Sequence, residues 1–208
     1  MTGASVSGLV LFAISMTGTP GPNIVMLTAS GATFGFRRTL PHMAGVSVGF
    51  PLMVFSVGLG LGQILMVNPE LRRIVQYLGM AYMLWLALRM ATAHRVPSGD
   101  TARGGKTNRR ASPLTFFEAL VFQWINPKAW VTAAAAVGTF AGLEPGVWSS
   151  AVEISAIFLI ITLPIVVSWA GLGSRIGSFL RTEWQLRCFN IAMAGLLVAS
   201  MATLLWKP

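Results

Sequence analysis

Two short proline-containing sequences interrupt long apolar stretches, and their residues are of types that bind anions. Proline lacks a backbone N–H and clashes with the turn before it, so each sequence is expected to break a helix. Pro22 and Pro127 suit the first position of a new helix, and Asn126 is a good N-cap. Each new helix would present unpaired N–H groups and the positive end of its dipole, which favour a bound carboxylate. The two interruptions are Thr19-Pro20-Gly21-Pro22-Asn23 and Asn126-Pro127-Lys128.

Lys128 places a full positive charge in the second interruption, where the helix dipole alone disfavours a cation. Burial of a lone charge in an apolar interior costs on the order of several kcal/mol, so a substrate carboxylate is the expected partner. Gln123 lies three residues before Asn126 on the same helical face, so both side chains could reach a cavity. Two alternatives stay open: prolines that only kink the helices, and a Lys128 side chain that extends to a membrane surface.

The composition is that of a chain surrounded by lipid. Among its 208 residues, 54% are apolar and 10% are charged, whereas ordinary soluble domains have about 25% charged residues. The net charge of +9 does not indicate nucleic-acid binding, because the basic residues lie between apolar runs instead of along one face. An all-α integral membrane protein is therefore expected, with the bilayer as a partner and without nucleic acid.

Six apolar stretches are long enough to cross a bilayer, since one crossing takes roughly 20 residues. The first and fourth are unusually long, and each contains one of the two interruptions near its middle. We therefore predict six transmembrane helices, of which helices one and four are broken. The predicted spans are 4–34, 40–64, 71–92, 114–141, 148–171 and 187–206.

A polar, basic segment at 94–113 divides the chain into two halves of three spans each. The halves, 1–93 and 114–208, are predicted to be two three-helix repeats joined by this loop. Most Lys and Arg residues follow spans one, three and five, so the positive-inside rule places the loop in the cytoplasm and both termini outside. Three spans per half give the halves opposite orientations, which predicts inverted repeats.

Few other residues suggest chemistry. The predicted spans contain no cluster of His, Asp, Glu or Cys, so no enzyme, cofactor or metal site is expected. Glu153, near the outer start of span five, could carry a coupling proton, although a position facing outer water is the simpler alternative, as it is for Glu118 near the cytoplasmic start of span four. Asn190 is expected to form an interhelical hydrogen bond. Two glycine pairs, Gly45 with Gly49 and Gly58 with Gly62, have the GxxxG spacing of closely packed helices.

The two interruptions, together with several flanking motifs, resemble the LysE/RhtB family of amino-acid exporters over essentially the whole chain. The resemblance implies a multi-pass protein of the bacterial inner membrane that exports amino acids, driven by proton exchange. Many members carry an aspartate after the glycine of span two, where this chain has Phe50, as in the cysteine/O-acetylserine branch. The matching residues are Thr19–Asn23, Gly35–Arg37, Ala44–Phe50, Gly79–Tyr82 with Trp85–Ala87, and Phe122–Lys128.

The resemblance implies a secondary transporter of small neutral amino acids or derivatives, of the cysteine/O-acetylserine, homoserine or threonine type. A non-transporting membrane scaffold, or an exporter of another small metabolite, is the alternative. The oligomeric state stays open, and a homo-oligomer is compatible with the pattern. The predicted substrate-binding residues are Pro20, Gly21, Pro22, Asn23, Gly49, Phe50, Gln123, Asn126, Pro127 and Lys128.

Overall fold

The computed structural model describes residues 3–93, 112–141 and 146–205, and these ranges form helices joined by short connections. The all-α expectation is thereby confirmed for the described residues. Most of the predicted basic loop, 94–111, lies outside them. The helices are α1 (Gly3–Gly18), α2 (Pro22–Phe34), α3 (Phe36–Ser56), a π-helical turn (Val57–Leu61), α4 (Gly62–Val67), α5 (Pro69–Ala91), α6 (Phe116–Ile125), α7 (Pro127–Phe140), α8 (Val147–Phe179) and α9 (Glu183–Leu205).

The described residues contain three helical stretches long and apolar enough to cross a membrane: Phe36–Ile64, Pro69–Ala91 and Val147–Phe179. A fourth candidate is the pair α1 and α2, whose axes differ by 55° across a short break. The helix α6 is apolar but has only 10 residues. The structure therefore supports part of the predicted set of spans, and the arrangement of six spans as inverted repeats stays a prediction.

The helix α2 lies at the centre of the fold, and 11 of its 13 residues are buried. It crosses α8 closely because small residues line the contact. A Cβ atom at Gly31 would collide with the Ala170 carbonyl of α8, and one at Gly173 would collide with the Thr28 carbonyl of α2. At such a crossing only glycine lets the two backbones approach each other.

The glycine pairs of span two differ from one another in role. Gly45 and Gly49 pack on α6, where a Cβ at Gly49 would lie 2.8 Å from Leu120 Cα, so the predicted close packing is confirmed. For Gly58 and Gly62 the same prediction is wrong in part. Gly58 approaches Ala151, but Gly62 contacts only Val57 of the same stretch. Between them Gly60 has φ +104°, a backbone conformation that favours glycine and that bends span two.

The core consists of two clusters of buried apolar side chains. The first combines α2 and α6 with α5 and α9, and includes Leu27 and Phe122. The second combines α1 and α7, and includes Leu9 and Phe158. The helices α3 and α8 contribute to both clusters. Each broken helix thus contributes one half to each cluster, and both breaks fall where the clusters adjoin.

Asn190 makes the predicted interhelical hydrogen bonds. Its side chain is fully buried. Thr33 Oγ1 of α2 donates to Asn190 Oδ1 at 3.0 Å, and Asn190 Nδ2 donates to the carbonyl of Ala93 at 3.2 Å. These bonds join α2 and α9 to the end of α5.

Candidate functional site

Both predicted breaks are present, and each is followed by a new helix. The helix α1 ends at Gly18, and α2 begins at Pro22 after the extended residue Gly21. The helix α6 ends at Ile125, and α7 begins at Pro127. Asn126 caps α7, because its side-chain oxygen accepts a hydrogen bond from the Lys128 backbone N–H at 3.2 Å. These N-terminal positions are as the sequence predicts.

A pair of amide side chains joins the two breaks. Asn23 Nδ2 donates to Gln123 Oε1 at 2.8 Å, and Gln123 Nε2 donates back to Asn23 Oδ1 at 3.1 Å. Gln123 is fully buried, and its amide nitrogen also donates to the carbonyl of Ala119 at 2.9 Å. Since buried amides are costly to leave unpaired, this reciprocal pair holds the two breaks in a fixed relation.

The Lys128 side chain extends from the second break to the first. Its Nζ donates to the carbonyl oxygen of Thr19 at 2.6 Å and to Thr19 Oγ1 at 2.8 Å. The side-chain stem passes over Gly21, where a Cβ atom would lie 2.7 Å from Lys128 Cδ. An ammonium group has three N–H donors, so one donor is left for a ligand.

The two breaks border a cavity of about 40 Å³, which we term the substrate cavity because residues predicted to bind substrate line it. On this measure one water molecule needs roughly 10–15 Å³, so the cavity holds only a few waters as it stands. Its lining residues are Met16, Thr17, Gly21, Asn23, Ile24, Val46, Phe50, Asn126, Lys128, Ala129, Thr132, Thr162 and Val166.

Half of the predicted binding residues line this cavity, namely Gly21, Asn23, Phe50, Asn126 and Lys128. The other half lie around it and have supporting positions. Pro22 and Pro127 begin the two helices, Gly49 packs on α6, and Gln123 holds Asn23. Pro20 is exposed within the first break.

Two threonines that the sequence did not single out also line the cavity. The hydroxyl oxygens of Thr17 and Thr162 are buried and have no hydrogen-bond partner among the described residues. Thr162 is fully buried on α8. By contrast, the hydroxyl of Thr132, a third lining residue, donates to the Lys128 carbonyl at 2.7 Å. Thr17 lies three residues before Pro20, which is a weak signal, and no spacing distinguishes Thr162 from other threonines.

The remaining wall of the cavity is apolar. Phe50 is 5% exposed, and its ring packs edge-on against Phe158 with the centroids 5.3 Å apart. Phe50 therefore contributes an uncharged surface to the cavity.

Glu153 does not line the substrate cavity. It lies in the second turn of α8 and is exposed. Its role in proton coupling stays a prediction.

Comparison with known proteins gives a consistent result over almost the whole chain. A family model described as "LysE type translocator" matches residues 14–207. The chain is 27% identical to the cysteine/O-acetylserine efflux protein of Escherichia coli strain K12, over 95% of this chain and 96% of that protein. The protein of the same name from Salmonella typhimurium strain LT2 gives the same identity and coverage. No solved structure matches the chain.

Proposed function

The chain belongs to the LysE type translocator family, and from this premise we propose that it exports small neutral amino acids or derivatives from the cytoplasm in exchange for protons. Membership makes the chain a transporter of a small molecule and not an enzyme, and a multi-pass protein of the inner membrane. The name of its relatives, cysteine/O-acetylserine efflux protein, supports substrates of that kind. Homoserine and threonine have similar size and polarity and belong to the same proposed class.

One observation carries the proposal: the two helix breaks meet at a cavity that contains a lysine. Lys128 Nζ makes two hydrogen bonds to Thr19, and its third N–H can bind a carboxylate. The N-terminus of α7, where Asn126 caps the helix, adds the positive end of a helix dipole. All amino acids share a carboxylate, so this corner recognises the substrate class and not one member.

The side chain of the substrate would occupy the rest of the cavity. Phe50, Val46 and Val166 form apolar walls, whereas Thr162 offers a buried hydroxyl without a partner. A short side chain with one polar group matches this lining. The present cavity is smaller than an amino acid, so the helices must separate when substrate enters, as alternating access requires.

We also propose that the chain forms six spans arranged as two inverted three-helix repeats, 1–93 and 114–208. In this scheme α1 and α2 correspond to α6 and α7, α3 to α8, and α5 to α9. If each helix is replaced by its counterpart, α2 and α6 of the first core cluster become α7 and α1 of the second. The charge distribution supports a cytoplasmic central loop and external termini, although residues 94–111 lie outside the described part.

The role of Lys128 is tested by replacing it with methionine. We expect Lys128→Met to reduce efflux roughly tenfold or more, because one charge-assisted hydrogen bond to substrate contributes roughly 1.5–3 kcal/mol. Amino acids and acetylated precursors would be quantified in cells and medium for strains with wild type, variant or no protein. The pools that change with wild type identify the substrate.

Lys106→Met is the matched control, because it removes the same charge from the central polar segment. It should leave efflux unchanged. Efflux that survives in Lys128→Met would contradict the assigned role, provided that the variant reaches the membrane in normal amount. If wild type changes no pool, the proposed function itself is wrong.

A further inference from the structure

His42 is the one fully buried ionisable side chain among the described residues. It lies on α3, and a hydrogen bond of 3.2 Å joins its Nδ1 to Ser30 Oγ of α2. Its other ring nitrogen, Nε2, is buried without a hydrogen-bond partner among the described residues. A buried ring nitrogen without a partner is unusual, because the polar atom loses its hydration and receives nothing in return. The unpartnered Nε2 can therefore accept a hydrogen bond or a proton without first losing a bond to the protein.

The pair of His42 and Ser30 lies between two cavities. On α3, Val46 stands one turn after His42 and lines the substrate cavity. On α2, Ser30 itself lines a second cavity of about 40 Å³, whose wall also includes Thr33 and Arg89. The helix α2 therefore extends from one cavity to the other. His42 forms its hydrogen bond to this helix at Ser30, at the edge of the second cavity.

Complete burial is the strongest influence on His42 and disfavours the charged ring, and two charged side chains, Arg89 of α5 and Glu118 of α6, act on it more weakly. They form an ion pair with 3.0 Å between Arg89 Nη1 and Glu118 Oε1, in which the Arg89 side chain is 11% exposed and the Glu118 side chain 32% exposed. A proton on His42 would repel Arg89 and attract Glu118, so it would weaken this pair.

The other ionisable groups near α3 are few. The helix α2 contains none, and α7 contributes Lys128 in the substrate cavity. The helix α8 carries Glu153 and Arg175, which are exposed in its opening and closing turns. On α3 itself Arg37 and Arg38 are exposed in the first turn, and Tyr82 of α5 lies near the ion pair.

We propose that His42 carries the proton that is exchanged for substrate, which rests on the proposed export function. The neutral ring takes a proton from water that reaches it through one cavity and releases that proton to water in the other. No bond other than the N–H bond forms or breaks, and the ring changes between neutral and +1. Exchange requires that the carrier hold proton and substrate in alternation, and the cost of a charged ring inside the protein favours return of the ring to its neutral form.

Vesicles that contain the purified protein test this role in two assays. Counterflow of radiolabelled O-acetylserine, with equal pH on both sides, reports substrate binding and reorientation. Uptake driven by a pH gradient reports coupling. In His42→Asn, whose amide can still bond to Ser30 but cannot titrate, we expect counterflow close to wild type and loss of the stimulation by the gradient. His94→Asn, which removes the only other histidine, should leave both assays unchanged.

The outcomes separate the two proposals. Absent counterflow in wild-type vesicles would overturn the proposed function. Counterflow without stimulation by the gradient in wild type, or normal stimulation in His42→Asn, would overturn the role of His42 alone. Loss of both activities in a monodisperse His42→Asn protein would also overturn it, since a purely coupling residue is not needed for exchange.

A second measurement covers the case in which His42→Asn does not fold. In His94→Asn the sole remaining histidine is His42, so its ring can be observed by nitrogen NMR after labelling of histidine. We expect its protonation midpoint to shift when O-acetylserine is added, because proton and substrate exclude each other. A ring that does not change between about pH 5 and 8, where histidines ordinarily titrate, would contradict the proposal.

Discussion

Among the described residues that line the substrate cavity, Lys128 is the only one with a charged side chain. A cationic substrate side chain would find no carboxylate there, and an additional anionic group would have no second cation. The α-ammonium group of an amino acid would have to bind neutral oxygens, which Asn23 and Thr17 can supply. The lining would thus favour substrates whose side chains are uncharged, because a charged side chain would find no group of opposite charge among these residues.

At the residue scale, the hydroxyl of Thr162 is predicted to bind the substrate. Thr162→Val keeps the shape of the side chain and removes only the hydroxyl. One neutral hydrogen bond contributes about 1 kcal/mol, so KM for O-acetylserine should rise about fivefold. Initial rates in the vesicle assay measure this change. The stability of the protein should not fall, because the hydroxyl has no partner in the unliganded structure.

Thr28→Val is the control for that prediction. Thr28 also has a buried hydroxyl without a partner, but it does not line the substrate cavity. It should leave KM unchanged. An equal rise of KM in the two variants would show that loss of any buried hydroxyl in this region has the same effect.

The sequence predicted the residues of the breaks but not how they interact. Pro22, Pro127 and Asn126 have local roles, and local rules suffice to place them. The bonds between Asn23 and Gln123 join residues 100 positions apart, and no periodicity encodes such a contact. The sequence could not identify Thr162 as a cavity residue either, because its hydroxyl differs from those of other threonines only in its structural surroundings.

At the element scale, the crossing of α2 and α8 determines how closely the centre of the molecule packs. Gly173 lies against the Thr28 carbonyl, so Gly173→Ala forces the helices apart. Overpacking of this kind costs roughly 1–3 kcal/mol, and we expect a lower Tm in detergent. Gly171→Ala is the matched control on the same helix, because a Cβ there meets nothing within 4 Å.

Gly171→Ala should keep or raise the Tm, since alanine favours a helix over glycine by up to about 1 kcal/mol. A Gly173→Ala protein as stable as Gly171→Ala would mean that α2 and α8 are not in close contact.

Helix lengths and bends were predictable only where the sequence contains an unambiguous signal. Proline marked the breaks of spans one and four, and both are present. The helix α8 continues to Phe179, beyond the predicted end at 171, and Gly173 and Gly177 in this extension pack closely on α2. The bend at Gly60 was missed, since its neighbours Gly58 and Gly62 have the same spacing as a packing motif. Only the backbone conformation distinguishes a glycine that bends a helix from one that lets two helices pack closely.

At the scale of the whole molecule, the two broken helices link the two core clusters. The halves α1 and α7 belong to one cluster, and α2 and α6 belong to the other. If the clusters move relative to each other, the connections at Gly21 and Asn126 must change conformation at the same time. A ligand held at Lys128 is then placed where such a movement can expose it to one side or the other.

The orientation of the molecule depends on whether α6 and α7 together form one crossing. With a rise of 1.5 Å per residue, α6 spans about 15 Å and α7 about 21 Å, against a hydrocarbon core of about 30 Å. Neither helix is long enough to cross the hydrocarbon core alone, whereas the two would cross it together if they lie in line. Residues before α6 and after α7 should therefore lie on opposite sides. If the pair instead formed a re-entrant loop, both positions would lie on one side.

Single cysteines distinguish these arrangements, because Cys188 is the only native one and can be replaced by serine. In intact cells, a membrane-impermeant maleimide should label Ser149→Cys, at the exposed start of α8. It should label Ser98→Cys, in the central polar segment, only after lysis. The reverse pattern would keep the crossing and invert the orientation. Labelling of both positions from one side would contradict the broken-span topology, and with it the placement of Lys128 between two alternately open sides.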